Sequence, residues 1–359
     1  MPSRARWDPP HQIPRGRRLT APSVGGTAAA TCAEHVLEVL TSSKYRKGSL
    51  EQMDFAGYRT AFLAPLLRCT RAGTPVQVTL MAFPFKVPNP AKVGPRVLPD
   101  LAEFTAIRRC LALAGAIAEV YPPGLRFEII HDGALIGDVF GVPLGEVRAY
   151  EAYFAQLLRR AGADALIRCH DFQAIQRGAG LDATAALGDL HEDARRWWRA
   201  ARGTRAWQAS FRKTLGMLSL RDLPQEEAAE LLRLATPAYL PARHAALERR
   251  VHDAMIAYRV KNAIIHRFDP RSAVFPDAIH ATTRVRAGRL GLWLVRRGSS
   301  LLPWHGVGVV DEAARVRVAL ADEVSGRSEV RGVFLSGEDT PFCYAPSNRQ
   351  TNLAAVLPA

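Results

Sequence analysis

Lysine is scarce in this chain. Of 359 residues, 42 are Arg and only 6 are Lys, and against 34 acidic residues this leaves a formal net charge of +14. The Arg bias marks no basic patch in itself, but it makes each Lys informative, because Arg has mostly been used where only positive charge is needed. A desolvated Lys can lose its proton, whereas Arg effectively cannot. Cysteine is sparse as well. Cys32, Cys69, Cys110, Cys169 and Cys343 are widely spread and form no Cys-x-x-Cys pair, so neither a zinc ribbon nor a redox dithiol is signalled. No run of about 18 apolar residues occurs, so no membrane span is implied. The N-terminus, with Arg4, Arg6, Arg15, Arg17 and Arg18 among prolines, lacks the apolar segment of a secretory signal, and the expected address is the cytoplasm. A Gly-x-Gly-x-x-Gly loop and a clear metal-ligand cluster are absent too.

What is present supports a sizeable core, since 48% of the residues are hydrophobic. Residues 1–27 read as a disordered basic tail. Val76 to Ala82 reads as a buried strand. A loop carrying Pro84, Pro88, Pro90 and Pro95 follows, too proline-rich for helix or central strand. Asp100 opens an apolar helix ending near Tyr121, before Pro122, Pro123 and Gly124. Arg126 to Ile130 reads as a second strand. A strand–helix–strand crossover is almost always right-handed and makes its strands parallel. The loops holding Lys86 and Asp132 with Asp138 therefore leave the same sheet edge, where open α/β sheets bind ligands.

Helices are expected over Ala29–Leu40, Phe55–Leu67, Gly145–Arg160, His191–Leu218, Gln225–Leu234 and Ala242–Ile265. In Gly145–Arg160 the apolar stripe is Val147, Tyr150, Phe154, Leu157 and Leu158. Strand character returns at Ala278–Thr283, Leu290–Val295, Gly306–Val310 and Val316–Leu320, which either extend the first sheet or form a second. The expected fold is α/β, with a Rossmann-like parallel sheet core over 28–160. A mainly helical segment over 161–270 and a strand-rich C-terminal part over 271–359 follow.

Taken by residue, Lys86 suits an anion holder or an amine of lowered pKa, and the plain alternative is a surface loop Lys. Asp100 and Glu103 form an Asp-x-x-Glu capping pattern that needs no chemistry to explain it. Asp132 begins a turn dipeptide with Gly133. His305 is a lone His between apolar strands, and Trp304 beside it suits a core.

The segments AFPFKVPNPAKV, LPDLAE, HDGALIGD and PWHG, in this order, resemble the pyoverdine/dityrosine biosynthesis protein family, whose best-understood members are isonitrile (isocyanide) synthases. The resemblance is dense over Val76–Tyr150 and resumes near Ala278–Val310. It implies conversion of an amino acid's amine to an isonitrile with ribulose 5-phosphate as one-carbon donor, in secondary metabolism. It implies no cofactor and no metal. A typical pathway partner would be an iron/2-oxoglutarate oxygenase acting on the product. It assigns catalysis to Lys86, Glu103, Asp132 and His305, and substrate contact to Asp100, Asp138, His280, Arg284 and Trp304. Family members usually carry Ser before the first Asp and a Val-Phe pair after the Gly; here His131, and Leu135 with Ile136, hold those places. Where the family tends to read Ile-Arg-Leu-Ser-Ile-His-Pro, this chain reads AIHATTRV, so His280 takes the Arg position and Arg284 the His position. Strand alternation predicts that both point, with Thr282, into a cavity lined by His305.

Two other readings stand beside it. One is an inactive relative that binds an anionic metabolite or nucleic acid, the latter through the Arg- and Trp-rich stretch His191–Leu218. The other is a hydrolase with His280, His305 and Asp132 around a metal.

Overall fold

The computed structural model describes residues 26–233, 240, 242–295, 297, 299, 301–335 and 337–347. The expected tail lies outside them as far as residue 25, and Gly26 and Thr27 already belong to the first helix, Gly26–Thr41.

Val76–Met81 (β1) lies at the centre of a sheet whose other strands are Leu125–His131 (β2), Ile167–Asp171 (β3), Ala278–Thr282 (β4) and Leu290–Gly291 (β5). The order is β3-β2-β1-β4-β5, and every pairing is parallel. Val76, Val78 and Leu80 are buried on one face of β1 and Thr79 on the other, as a strand covered on both sides requires. No strand pattern announces β3, whose Arg168, Cys169 and His170 are polar or exposed.

The crossover from β1 to β2 runs through the Leu101–Val120 helix. The Asp100 carboxylate accepts from Ala102 N at 2.6 Å, and Glu103 accepts from Asp100 N at 2.9 Å, so the capping box is formed. The Leu144–Arg160 helix buries the five expected stripe residues. The stretch expected as one helix from His191 is two, Leu187–Ala201 and Arg205–Leu215. They separate at Gly203 (φ 80°), and Thr204 caps Trp207 N at 3.2 Å. Gln225–Arg233 and Ala245–Arg267 complete the helical middle.

The C-terminal strands do both things the sequence left open. β4 and β5 extend the first sheet. Val307–Val310 (β6), Val316–Ala319 (β7), Val330–Val333 (β8) and Cys343–Pro346 (β9) form a second sheet in the order β7-β6-β9-β8. Gly308 of β6 meets the N-terminus of the Leu101–Val120 helix so closely that a Cβ there would lie 2.7 Å from Leu101 Cβ. The second sheet is thereby docked beside the capping box.

β1, β2 and β3 progress to one side, whereas β4 and β5 lie on the other. The order thus reverses between β1 and β4, and the crevice beyond their carboxyl ends is where such sheets take ligands. The chain leaves β1 into the Lys86 loop, β2 into Asp132 and β4 into Arg284. The first two loops touch, because a Cβ on Gly133 would sit 2.3 Å from Pro84 O. Among the described residues no helix is long and apolar enough to cross a membrane.

Candidate active site

Lys86 is not on the surface. Its ammonium lies 2.7 Å from Asp100 Oδ2 and 3.2 Å from Glu103 Oε2, and all three side chains are essentially sealed from solvent. It also donates to Gly306 O at 2.9 Å. Glu103 accepts from the Tyr150 hydroxyl at 3.1 Å, and Asp100 Oδ2 from Gly308 N at 3.3 Å. Burial pushes the Glu103 carboxyl up to about 7, with Lys86 pulling it down and Asp100 pushing it up. This group ties the loop after β1 to the helix cap and to the PWHG turn. Lys86 and Asp132 therefore do not face one cavity as the topology suggested. Lys86 is enclosed, and its contact with Gly306 holds the neighbouring His305 in place.

The loop between β1 and Lys86 is held by packing. Phe83 adopts a left-handed backbone (φ 56°), uncommon for an aromatic residue. His131 Nδ1 lies 2.8 Å from Phe83 O. A carbonyl only accepts, so Nδ1 carries the hydrogen and donates. The Phe83 ring stacks on Phe154 at 4.5 Å and meets Trp304 edge-on at 5.1 Å. Trp304 is buried, and its ring centroid lies 5.9 Å from that of His305.

The open chemistry lies beside this framework. His305 is held down to about 3 by burial and by the charges of Lys92, Arg284 and Lys213, so at neutral pH its imidazole is uncharged. Lys92 donates to Gly216 O at 2.6 Å, and burial lowers it to about 8. The Lys213 ammonium lies 4.7 Å from the Tyr258 ring centroid. Burial, with Arg284 and Arg286 adding to it, lowers Lys213 to about 8 as well. Burial raises Tyr258, and so does the charge of Asp132, while Arg284 and Arg286 oppose it. Asp132 is half-buried, and desolvation pushes it up to about 6 against a hydrogen bond from its own backbone. Two Lys and two Arg thus surround a neutral imidazole and a phenol, with one carboxylate of raised pKa. The set is suited to anions and has groups able to exchange protons near neutral pH.

Several expected residues lie elsewhere. β4 ends at Thr282, so strand alternation does not extend to Arg284. Arg284 is exposed at the crevice, whereas His280 bonds to Thr79 Oγ1 at 2.8 Å and Ser272 Oγ at 3.2 Å. Burial and the charges of Arg271 and Arg289 lower His280 to about 4. Asp138 has a side chain 72% exposed, with Lys261 3.8 Å away, so it turns to solvent instead of the crevice. A metal site of His280, His305 and Asp132 does not form, and no group of three or more His, Cys, Asp or Glu among the described residues is placed to hold a metal. The Trp residues that the nucleic-acid reading would need as stacking platforms are packed instead. Trp207 is buried, and both Trp198 and Trp207 ring centroids lie 5.6 Å from His252.

Lys213, Tyr258 and Arg286 were not singled out from sequence. The lysine scarcity that drew attention to Lys86 holds equally for Lys92 and Lys213. No pattern pointed to Tyr258, which comes from the helical middle 126 residues after Asp132.

The sequence profile of the family described as "Pyoverdine/dityrosine biosynthesis protein" matches residues 66–208. The L-tyrosine isonitrile synthase of Pseudomonas aeruginosa is 26% identical over 328 residues, covering 87% of this chain and 92% of that protein. The L-tryptophan isonitrile synthase of Fischerella ambigua is 36% identical over 93 residues, 26% of this chain and 28% of that one. Isocyanide synthase A of Aspergillus fumigatus is 27% identical over 129 residues, and the match spans 35% of this chain and only 21% of its length. The crystal structure of the PvcA protein from Pseudomonas aeruginosa superposes with a TM-score of 0.63 at 22% identity, covering 88% of this chain and 99% of that one, a likeness of fold. Family motifs, the parallel sheet and the matching relatives agree: residues 66–208 match the pyoverdine/dityrosine biosynthesis protein family, and the chain along most of its length is similar to the L-tyrosine isonitrile synthase of Pseudomonas aeruginosa.

Proposed function

We propose that this protein is an isonitrile synthase that joins the amine of an amino acid to a carbon of ribulose 5-phosphate. The observation that carries the reading is the cationic crevice at the β1–β4 reversal, where Lys92, Lys213, Arg284 and Arg286 surround His305, Tyr258 and Asp132. Each substrate carries an anionic group, a phosphate in one and a carboxylate in the other. Condensation of amine and ketone, carbon–carbon cleavage and phosphate loss require proton transfer and charge stabilisation. Asp132, with a pKa near 6, suits the general base. Lys92 and Lys213, near 8, hold charge and can give up a proton. Neutral His305 can accept or donate a hydrogen bond to the condensing centre. The isonitrile product would then pass to a modifying enzyme such as an iron/2-oxoglutarate oxygenase.

The test is mass spectrometry of reactions containing the protein, ribulose 5-phosphate labelled at its ketone carbon, and pooled amino acids. A product that gains one labelled carbon and loses two hydrogens is the expected result. Saturable sugar-phosphate binding with no such product would favour a binding protein. Arg284→Ala gives a second readout. Because Arg284 is exposed, the variant should keep the wild-type Tm. It should raise the KM of one anionic substrate by roughly tenfold, the scale of one charge-assisted hydrogen bond. An unchanged KM would remove Arg284 from the site.

A further inference from the structure

Beside β5, three guanidinium groups meet a single carboxylate. Asp269 accepts from Arg271 Nε at 2.9 Å and from Arg271 Nη2 at 2.6 Å, so that Arg matches its charge. Arg289 Nη2 stands farther off, 3.8 Å from Asp269 Oδ2, and Arg289 keeps 34% of its side chain exposed. Arg286 is exposed and has no ion pair among the described residues. The chain sets these last two opposite each other. Arg289 N donates to Arg286 O at 3.3 Å across a tight turn whose corner is Gly288 (φ 67°). Like charges directly opposite repel. The turn is nevertheless fixed from behind, because Gly288 N donates to Met53 O at 3.1 Å and a Cβ on Gly288 would lie 2.7 Å from Tyr58 Cε1.

This cluster continues the crevice. The charge of Arg286 acts on Lys213 and Tyr258 on one side, and on His266 and Arg289 on the other. Tyr258 and His266 lie on one face of the Ala245–Arg267 helix, two turns and roughly 12 Å apart along its axis. Arg284, by contrast, acts on His305. The crevice therefore has a cation beside its imidazole and a fixed Arg pair farther along. In ribulose 5-phosphate the phosphate is at the far end of the sugar from the ketone, whereas an amino acid carries its carboxylate on the carbon next to the amine. A phosphate dianion also matches two guanidinium groups, each of which offers paired N–H donors. We propose that Arg286 and Arg289 form a second anion subsite that holds the phosphate of ribulose 5-phosphate, and that Arg284 holds the carboxylate of the amino acid. The identity of the ligand rests on the synthase reading given above, but the inference concerns binding and not turnover.

Calorimetric titration of the full chain tests it, with inorganic phosphate and ribulose 5-phosphate as probes. The variants are Arg286→Gln, Arg289→Gln, the two combined, and Arg284→Ala. The fitted stoichiometry reports the folded fraction, so Kd is read on folded protein even if a variant is less stable. Each Gln substitution should weaken ribulose 5-phosphate binding by about tenfold, the scale of one charge-assisted hydrogen bond, and the combined variant by about a hundredfold. Inorganic phosphate should follow the same order. Arg284→Ala should weaken either probe by less than about threefold, through the loss of a nearby charge alone. Wild-type affinity in Arg286→Gln would overturn the proposal. So would a greater loss in Arg284→Ala than in the combined variant, or a wild-type protein that binds neither probe. Phosphate binding that follows the expected pattern without isonitrile formation would leave the subsite as assigned and overturn only the synthase reading.

Discussion

Replacing Lys86 by Met should lower stability by about 3–5 kcal/mol, because it leaves Asp100 and Glu103 buried without their counter-charge. In a chain of this size the Tm should fall by roughly 10 °C. The pH dependence has a definite sign. Burial holds the Glu103 carboxyl up at about 7 even against the pull of Lys86, so removal of Lys86 raises that carboxyl further. A carboxyl raised in the folded state favours folding when protonated and loses that advantage as pH rises through its folded value. The deficit of Lys86→Met against wild type should therefore be largest at alkaline pH and smaller at pH 5. Equal Tm values across that range would mean that the buried triad does not hold the fold. Lys86→Arg should also suffer. The enclosed side chain adds an overpacking cost of about 1–3 kcal/mol. Any folded fraction should turn over slowly, because Lys86 anchors Gly306, the residue after His305.

Asp132→Asn should lower kcat by about a hundred- to ten-thousand-fold, the range for loss of a general base. Wild-type activity should fall as pH drops through about 6, where Asp132 takes up a proton. In the variant that limb should disappear from the residual rate. Stability should move the other way. Desolvation raises Asp132 above its unfolded value, so its ionised form costs stability as pH rises through about 6. The neutral amide avoids this, and the variant should be at least as stable as wild type at pH 8, with the gap closing in acid. Retained kcat with an unchanged acid limb would exclude Asp132 as the base. A large drop in Tm at pH 8 would show that its carboxylate is structural.

Much of the framework was legible because it depends on local signals. β1, β2 and the helix between them carry continuous apolar stretches bounded by Pro, Gly and a capping box, and the parallel crossover follows from chirality. Placing the Lys86 and Asp132 loops side by side needed only that topology. The enclosure of Lys86 was not legible, since it is closed by Gly306 and Gly308 from a part of the chain more than 200 residues later. For the same reason Asp100 and Glu103, fully explained as a cap, could not be seen as that Lys's counter-ions as well. Arg284 was placed by extending strand alternation two residues past the end of β4, where the chain bends and the period no longer holds. Asp138 was grouped with Asp132 by spacing, but a short turn over Gly133–Ile136 sends it outward. Lys213 and Tyr258 meet only because the Arg205–Leu215 and Ala245–Arg267 helices pack together, which no local signal specifies.

The central position of β1 also matters during synthesis of the chain. One of its edges is matched by β2 within about 50 residues, but the other waits for β4, roughly 200 residues further on. At ribosomal rates of about 5–20 residues per second, the apolar β1 stays open on that side for roughly 10–40 s. An unpaired apolar strand edge recruits other strands. A nascent chain at this stage is therefore a client for a chaperone. A message truncated before the codon for Ala278 would yield a product with that edge permanently exposed and prone to aggregate.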